Sequence, residues 1–146
     1  MIDLNEMKIF KQKFFAIILS AFCFSCSGEA YHEELNGGYY LSAIHAKEDM
    51  VLGYQDGEYG IGVIDATVFA VGQNDSFIVV KQHPRNFPDK PNKAIVNYYI
   101  VPLKSKIAKS ADKSFYGPLS ISEFENKEKD LGIKDIVFTQ VFKDLK

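Results

Sequence analysis

Thr67-Val-Phe-Ala-Val-Gly-Gln-Asn-Asp-Ser-Phe-Ile-Val-Val-Lys-Gln82 decides the fold. Two short runs, Thr67 to Gly72 and Phe77 to Gln82, are rich in β-branched and aromatic residues and flank the turn residues Gln73-Asn74-Asp75. Such side chains suit a pleated, half-buried surface, so both runs read as strands joined by a tight turn. Upstream, Tyr39 to Ala46, Met50 to Tyr54 and Tyr59 to Ile64 repeat the pattern. Between the last two lies Gln55-Asp56-Gly57-Glu58, whose Asp-Gly pair favours a hairpin turn with positive φ at both central residues. Tyr59, Ile61 and Val63 share one face of their strand, and Gly60 and Gly62 the other.

Downstream, Pro84, Pro88 and Pro91 make the 83–92 segment a loop, because proline removes ladder donors. Ala94 to Leu103 is the sixth strand, with Pro102 at its end. A polar connector, 104–114, carries Lys104, Lys106, Lys109 and Lys113 and reads as solvated. A helix starts at Gly117-Pro118-Leu119-Ser120, with capping boxes available from Ser120 and Glu123 or from Ser122 and Glu125. Ile121, Phe124, Glu128 and Leu131 share one of its faces, and Gly132 stops it. Ile136 to Phe142 reads as a last strand. Short connections between successive strands imply an antiparallel meander. The expectation is a β-rich α+β domain: one curved sheet of about six or seven strands, packed by a C-terminal helix.

At 146 residues, the chain is one domain's worth. Its 47% hydrophobic and 25% charged residues exclude wholesale disorder. A net charge of −2, from 17 basic and 19 acidic residues, gives no electrostatic basis for nucleic-acid binding.

The N-terminus carries an address. Lys8, Lys11 and Lys13 precede an apolar run of 11 residues, Phe14 to Phe24. That is too short for a spanning helix, which needs about 20 residues, and fits the core of a signal peptide. Met7 offers a second start of the same kind. The run ends in Cys23-Phe-Ser-Cys26-Ser-Gly28, which resembles a bacterial lipobox with small Ser25 before Cys26. The Cys26 thiol would take the diacylglyceryl group, although Cys23 and Phe24 depart from the usual residues at their positions. An ordinary secreted protein and an uncleaved anchor are the alternatives. The organisation expected is a signal peptide over 1–25, a lipidated tether over 26–38, and a globular domain over 39–146. Losing the leader leaves 14 basic and 17 acidic residues and no free thiol, since Cys23 and Cys26 are the chain's 2 cysteines. The localisation expected is the bacterial cell envelope, with the chain held to the membrane by the Cys26 lipid.

Four stretches together resemble one family. They are Gly38-Tyr-Tyr-Leu-Ser-Ala-Ile44, then Thr67 to Gly72 running into Phe77 to Pro84, then Asn97-Tyr-Tyr-Ile-Val-Pro102, and Gly117-Pro-Leu119. The set resembles the small bacterial lipoprotein family known as domain of unknown function 3997, over nearly all of the mature chain. The resemblance implies a cell-envelope lipoprotein and brings no catalytic residue and no cofactor.

The residues offer few constellations of their own. Lys81-Gln82-His83-Pro84 ends a strand and enters the loop, where His83 could act as base or ligand, or simply fix the turn. His32, His45 and His83 show no metal-ligand spacing, so no metal is expected. Gly60-x-Gly62 lacks the third glycine and the following helix of a nucleotide site, and close strand packing explains it better. No serine sits in a nucleophile elbow. Tyr39-Tyr40 and Tyr98-Tyr99 place one ring on each side of a sheet, for a binding surface or for the core.

The reading is a non-enzymatic binding module that engages an envelope protein or another ligand through an open sheet face or the 83–92 loop. Its candidate binding residues are Lys81, His83, Tyr98 and Tyr99. The alternatives are an inhibitor or immunity-type protein, and a hydrolytic or metal-dependent enzyme with His83 or His45 beside an acid.

Overall fold

A computed structural model describes residues 30–103, 115–134 and 136–146. The expected leader, the expected lipidation position Cys26 and the lysine-bearing segment 104–114 lie outside the described residues.

Among the described residues, nine strands and one α-helix follow in the order β1 (Tyr31–Glu34), β2 (Tyr39–Ala43), β3 (Val51–Asp56), β4 (Tyr59–Ile64), β5 (Val68–Gln73), β6 (Phe77–Gln82), β7 (Asn97–Pro102), β8 (Tyr116–Leu119), α1 (Ile121–Asp130) and β9 (Gln140–Val141). The fold is β-rich α+β, and all its pairings are antiparallel. The strands form two sheets, not the single sheet expected: β1-β2-β3-β4 and β8-β7-β6-β5-β9. The break falls at Asp65-Ala66-Thr67. There the Thr67 hydroxyl donates to Glu48 O, and the backbones of Thr67 and His83 exchange two hydrogen bonds of 3.0 Å.

The main core lies between the sheets. Tyr39, Leu41, Ala43 and Leu52 of the first sheet meet Val71, Ile78, Val80, Tyr99 and Val101 of the second. A second core covers the other face of the second sheet. There Val79 and Ile100 lie under Phe124 of α1, flanked by Leu119, Leu131, Ile136 and Phe138. The second sheet is therefore buried on both faces, which explains the near-continuous apolar runs of β5 and β6.

Local chemistry sets the element ends. Gly57 has φ 64°, as the hairpin between β3 and β4 requires. Ser120 caps α1: its hydroxyl accepts from Glu123 N, and the Glu123 carboxylate accepts from Ser120 N at 2.8 Å.

Four segments differ from expectation. The stretch read as a tether enters the sheet from Tyr31 onward as β1, because Tyr31 packs on Phe142 and Glu33 accepts from Tyr31 and Gln140. Gly117-Pro118-Leu119 belongs to edge strand β8, and the helix begins one residue after Ser120. The strand over Ala94–Leu103 shortens to 97–102, because Ile95 N turns back to Asn92 O. Only Gln140 and Val141 of the last run pair with β5; Ile136 and Phe138 serve instead as lids on the second core.

Candidate functional site

The first sheet presents one face to the core and leaves the other uncovered among the described residues. Alternation puts Tyr39, Leu41 and Ala43 inward and Tyr40 and Ser42 on the other face, where Tyr40 is half-buried and Ser42 buried. The register then lays Tyr40, Gly53 and Gly62 in one row across β2, β3 and β4, with Gln55 and Gly60 in the next. Two strands thus contribute bare backbone. The Tyr40 ring occupies the space over Gly53, and its hydroxyl reaches Gly60; a Cβ at either position would run into it. Over Gly62 nothing lies within 4 Å of where a Cβ would stand. Of the two glycines expected to mark close packing, Gly60 does so through a tyrosine, whereas Gly62 faces open space.

The result is a groove of about 580 Å³, lined mainly by His32, Tyr40, Ile44, His45, Val51 and Phe87. The His32 ring stacks on Tyr40 with centroids 5.4 Å apart. The proline-rich loop closes one end. Arg85 donates to Asp49 Oδ1 at 2.5 Å and to Asp89 O at 2.8 Å, which holds Phe87 beside the sheet. Phe87 is 84% exposed, a large apolar ring in contact with water. Asp49 also accepts from Ala46 N through Oδ2, so both of its oxygens are engaged in structure. Its lining joins aromatic and aliphatic side chains to the polar groups of His32, Ser42, His45, Asp49 and Gln55, the usual chemistry of a recognition surface.

The four candidate residues from the sequence lie elsewhere. Lys81 and Tyr98 are cross-strand partners on the helix side of the second sheet. The Lys81 ammonium sits 4.2 Å from the Phe138 ring centroid and 5.4 Å from that of Tyr98. Burial lowers its pKa, with Lys146 adding to the effect. Tyr98 packs on Phe124 at 5.0 Å. Tyr99 faces the main core against Phe115, and burial raises its pKa, with Asp65 adding to it.

His83 is 2% exposed. Its ring stacks on Phe69 at 4.2 Å, and Nδ1 lies 2.7 Å from Ile95 O. Gln82 beside it donates to Ala66 O at 3.1 Å and accepts from Asn97 at 2.9 Å. His83 therefore fixes the turn into Pro84. The structure pairs Lys81 with Tyr98 but brings none of the four to the groove. Nor do the histidines converge: His32 and His45 line the groove while His83 is buried apart from it. Among the described residues, no group of three or more His, Cys, Asp or Glu could hold a metal ion.

Sequence reasoning missed the groove residues His32, Tyr40 and Phe87. Signals for two of them existed: Tyr39-Tyr40 had to put one ring outward, and Phe87 lies inside the loop singled out as a binding element.

A family model described as "Protein of unknown function (DUF3997)" matches residues 36–142. No match to the chain was found among curated proteins or among solved structures.

Proposed function

The chain belongs to the DUF3997 family, and on that premise we propose that it is a non-enzymatic binding module of the bacterial cell envelope, held to a membrane by lipid on Cys26. The binding surface is the outer face of the first sheet together with Phe87 of the adjoining loop. The observation that carries this reading is the aromatic groove of about 580 Å³, open among the described residues, on a sheet whose other face is built into the core. The anchoring half rests on the basic residues Lys8, Lys11 and Lys13, the apolar run 14–24 and Ser25-Cys26. A non-catalytic role fits the groove's chemistry, because its carboxylate, Asp49, is committed to Arg85 and Ala46 N.

The test is a pull-down from native membranes with the full-length protein, Cys26→Ser, and the double variant Tyr40→Ala with Phe87→Ala. Mass spectrometry of each eluate reports acylation and partner together. The reading requires a lipid on wild type that is absent from Cys26→Ser, and a partner lost from the groove variant while its thermal melt is kept. A partner retained equally by the groove variant rejects the surface, and an unmodified Cys26 rejects the anchor.

A further inference from the structure

A strand at the edge of a sheet shows a row of unpaired backbone groups, and proteins shield such edges with shortness, charge, proline or bulges. Three of the four edges here are shielded. β1 has four residues and carries Glu33 and Glu34. β8 has four and carries Pro118. β9 has two. The fourth edge is β4, Tyr59-Gly-Ile-Gly-Val-Ile64, with neither charge nor proline. It pairs with β3 alone, and among the described residues nothing else hydrogen-bonds to its backbone. Its one irregularity is near its end: Leu52 pairs with Ile64 and Gly53 with Gly62, so Val63 is bulged out of register. The regular free edge runs from Tyr59, 76% exposed, to Gly62.

We propose that this edge accepts an extended, basic segment of a partner protein as an added strand, with an aromatic side chain of that segment lying over Gly62. The proposal rests on the reading of the first sheet as the binding surface and names the partner's chemistry. Backbone pairing follows from the open ladder groups. The aromatic follows from the row Tyr40–Gly53–Gly62: Tyr40 fills the space over Gly53, whereas the space over Gly62 is empty. A residue of the added strand directly opposite Gly62 continues that row on the same face, and a ring there covers the glycine as Tyr40 covers its neighbour.

The basic character follows from the acids at both ends of β4. Asp56 and Glu58 flank the hairpin end and Asp65 follows Ile64, and among the described residues none of the three is in an ion pair. The same acids weigh against a second copy as occupant. Antiparallel pairing of β4 with itself sets the Asp56–Glu58 turn of each copy against Asp65 of the other, and like charges across strands repel.

The probe is a capped peptide, Arg-Val-Thr-Phe-Thr-Val-Arg, titrated into the full-length protein in detergent micelles while amide hydrogen exchange is followed. Its controls are a Glu-flanked analogue, a Phe-to-Ala analogue and a backbone N-methylated analogue. The expected result is slowed exchange within 59–64 and no change in β1. The Phe-to-Ala and Glu-flanked analogues bind about fivefold more weakly or worse, and the N-methylated analogue does not bind. Gly62→Phe, which fills the open space from within, weakens the Phe peptide by a similar factor of about five while leaving the thermal melt in place.

Three outcomes overturn the proposal. They are unchanged exchange in 59–64 at millimolar peptide, equal binding of the Arg- and Glu-flanked peptides, and protection of 59–64 that grows with protein concentration alone. If the peptide fails while the groove variant still loses its partner in the pull-down, the edge assignment falls and the binding-surface reading stands.

Discussion

Among the described residues, the first sheet is buried on one face and the second on both, and their strands are written differently as a result. In β6, Ile78, Val79 and Val80 are all fully buried, because one face meets the first sheet and the other meets α1. In β2, inward Tyr39 and Leu41 alternate with Tyr40 and Ser42 on the other face, of which Tyr40 is half-buried and Ser42 buried. An uncovered face is commonly solvated by charged side chains. Here β3 and β4 turn Gly53, Gly60 and Gly62 to that side, and one tyrosine lies across two of them. The lesson is that this face is shaped as well as exposed. Removing side chains lowers the floor and makes a groove, which a row of lysines and glutamates would have filled.

The largest test of the contrast removes the cover from the second sheet. Phe124 is the buried anchor of α1, 5.0 Å from Tyr98 and 6.2 Å from Phe138 by ring centroids. Phe124→Ala is expected to cost about 3–5 kcal/mol, the range for a buried aromatic truncated to a methyl group. Tyr40→Ala, on the open face, is expected to cost about 1 kcal/mol, since half-exposed positions lose little beyond local packing. Urea unfolding of both variants measures the difference. Equal losses would mean that the outer face is structural cover and not a surface kept open.

A second test asks whether the glycine floor is specific. Gly53→Ala drives a Cβ into the Tyr40 ring, whereas Gly62→Ala meets nothing within 4 Å. The first is expected to destabilise by about 1–3 kcal/mol through overpacking. The second stays within about 0.5 kcal/mol, as a surface change away from special features does. Adding Tyr40→Ala to Gly53→Ala relieves the clash, so the pair couples by about 1 kcal/mol in a double-mutant cycle. Additive losses would remove Tyr40 as the reason for the glycine.

Much of the fold was legible where its signals are local. β6 runs over the 77–82 span read from β-branched content, and Asp56-Gly57 turns where an Asp-Gly hairpin should. The Ser120–Glu123 box likewise caps the helix from three residues' separation. What stayed hidden depends on distance along the chain. β1 looks like a solvated acidic tether until Gln140, far downstream, donates to Glu33. The groove exists only because the register sets Tyr40 opposite Gly53, and no local pattern encodes register between β2 and β3. The partition of the two tyrosine pairs was half legible. Alternation requires one ring per face, but that Tyr98 and Tyr99 both find cover follows from α1 and the first sheet, which lie far from them in sequence.

The capping box gives a smaller effect on the covered side. Ser120→Ala removes the acceptor for Glu123 N and the partner of the Glu123 carboxylate, which that pairing holds below its ordinary pKa. The expected loss is about 1 kcal/mol, visible as a lower urea midpoint with an unchanged slope. Because Phe124 seats α1 on the second sheet, amide exchange should quicken in α1 and β8 and stay constant in β3 and β4.

The smallest effect separates the two cores by the sign of their response to alkali. Tyr31 packs edge-on against Phe142 at 5.2 Å and donates to Glu33; burial first, then that carboxylate, push its pKa up to about 12. Burial also raises Tyr39 and Tyr99 in the same core. A tyrosine whose folded pKa exceeds its unfolded value keeps its proton in the fold and releases it on unfolding. Its contribution is whole below the unfolded pKa of 10.0 and drains as pH rises toward about 12. Lys81, under Phe138 on the helix side, has the opposite sign. Burial lowers its folded pKa, the unfolded chain holds the proton longer, and stability climbs with pH until the unfolded value of 10.5 is passed. Urea midpoints across the alkaline range should therefore fall less steeply above pH 10.0 in Tyr31→Phe, and rise less on the approach to pH 10.5 in Lys81→Met. Should Tyr31→Phe track wild type through that upper window, burial and the Glu33 carboxylate do not hold the proton on the Tyr31 hydroxyl in the fold.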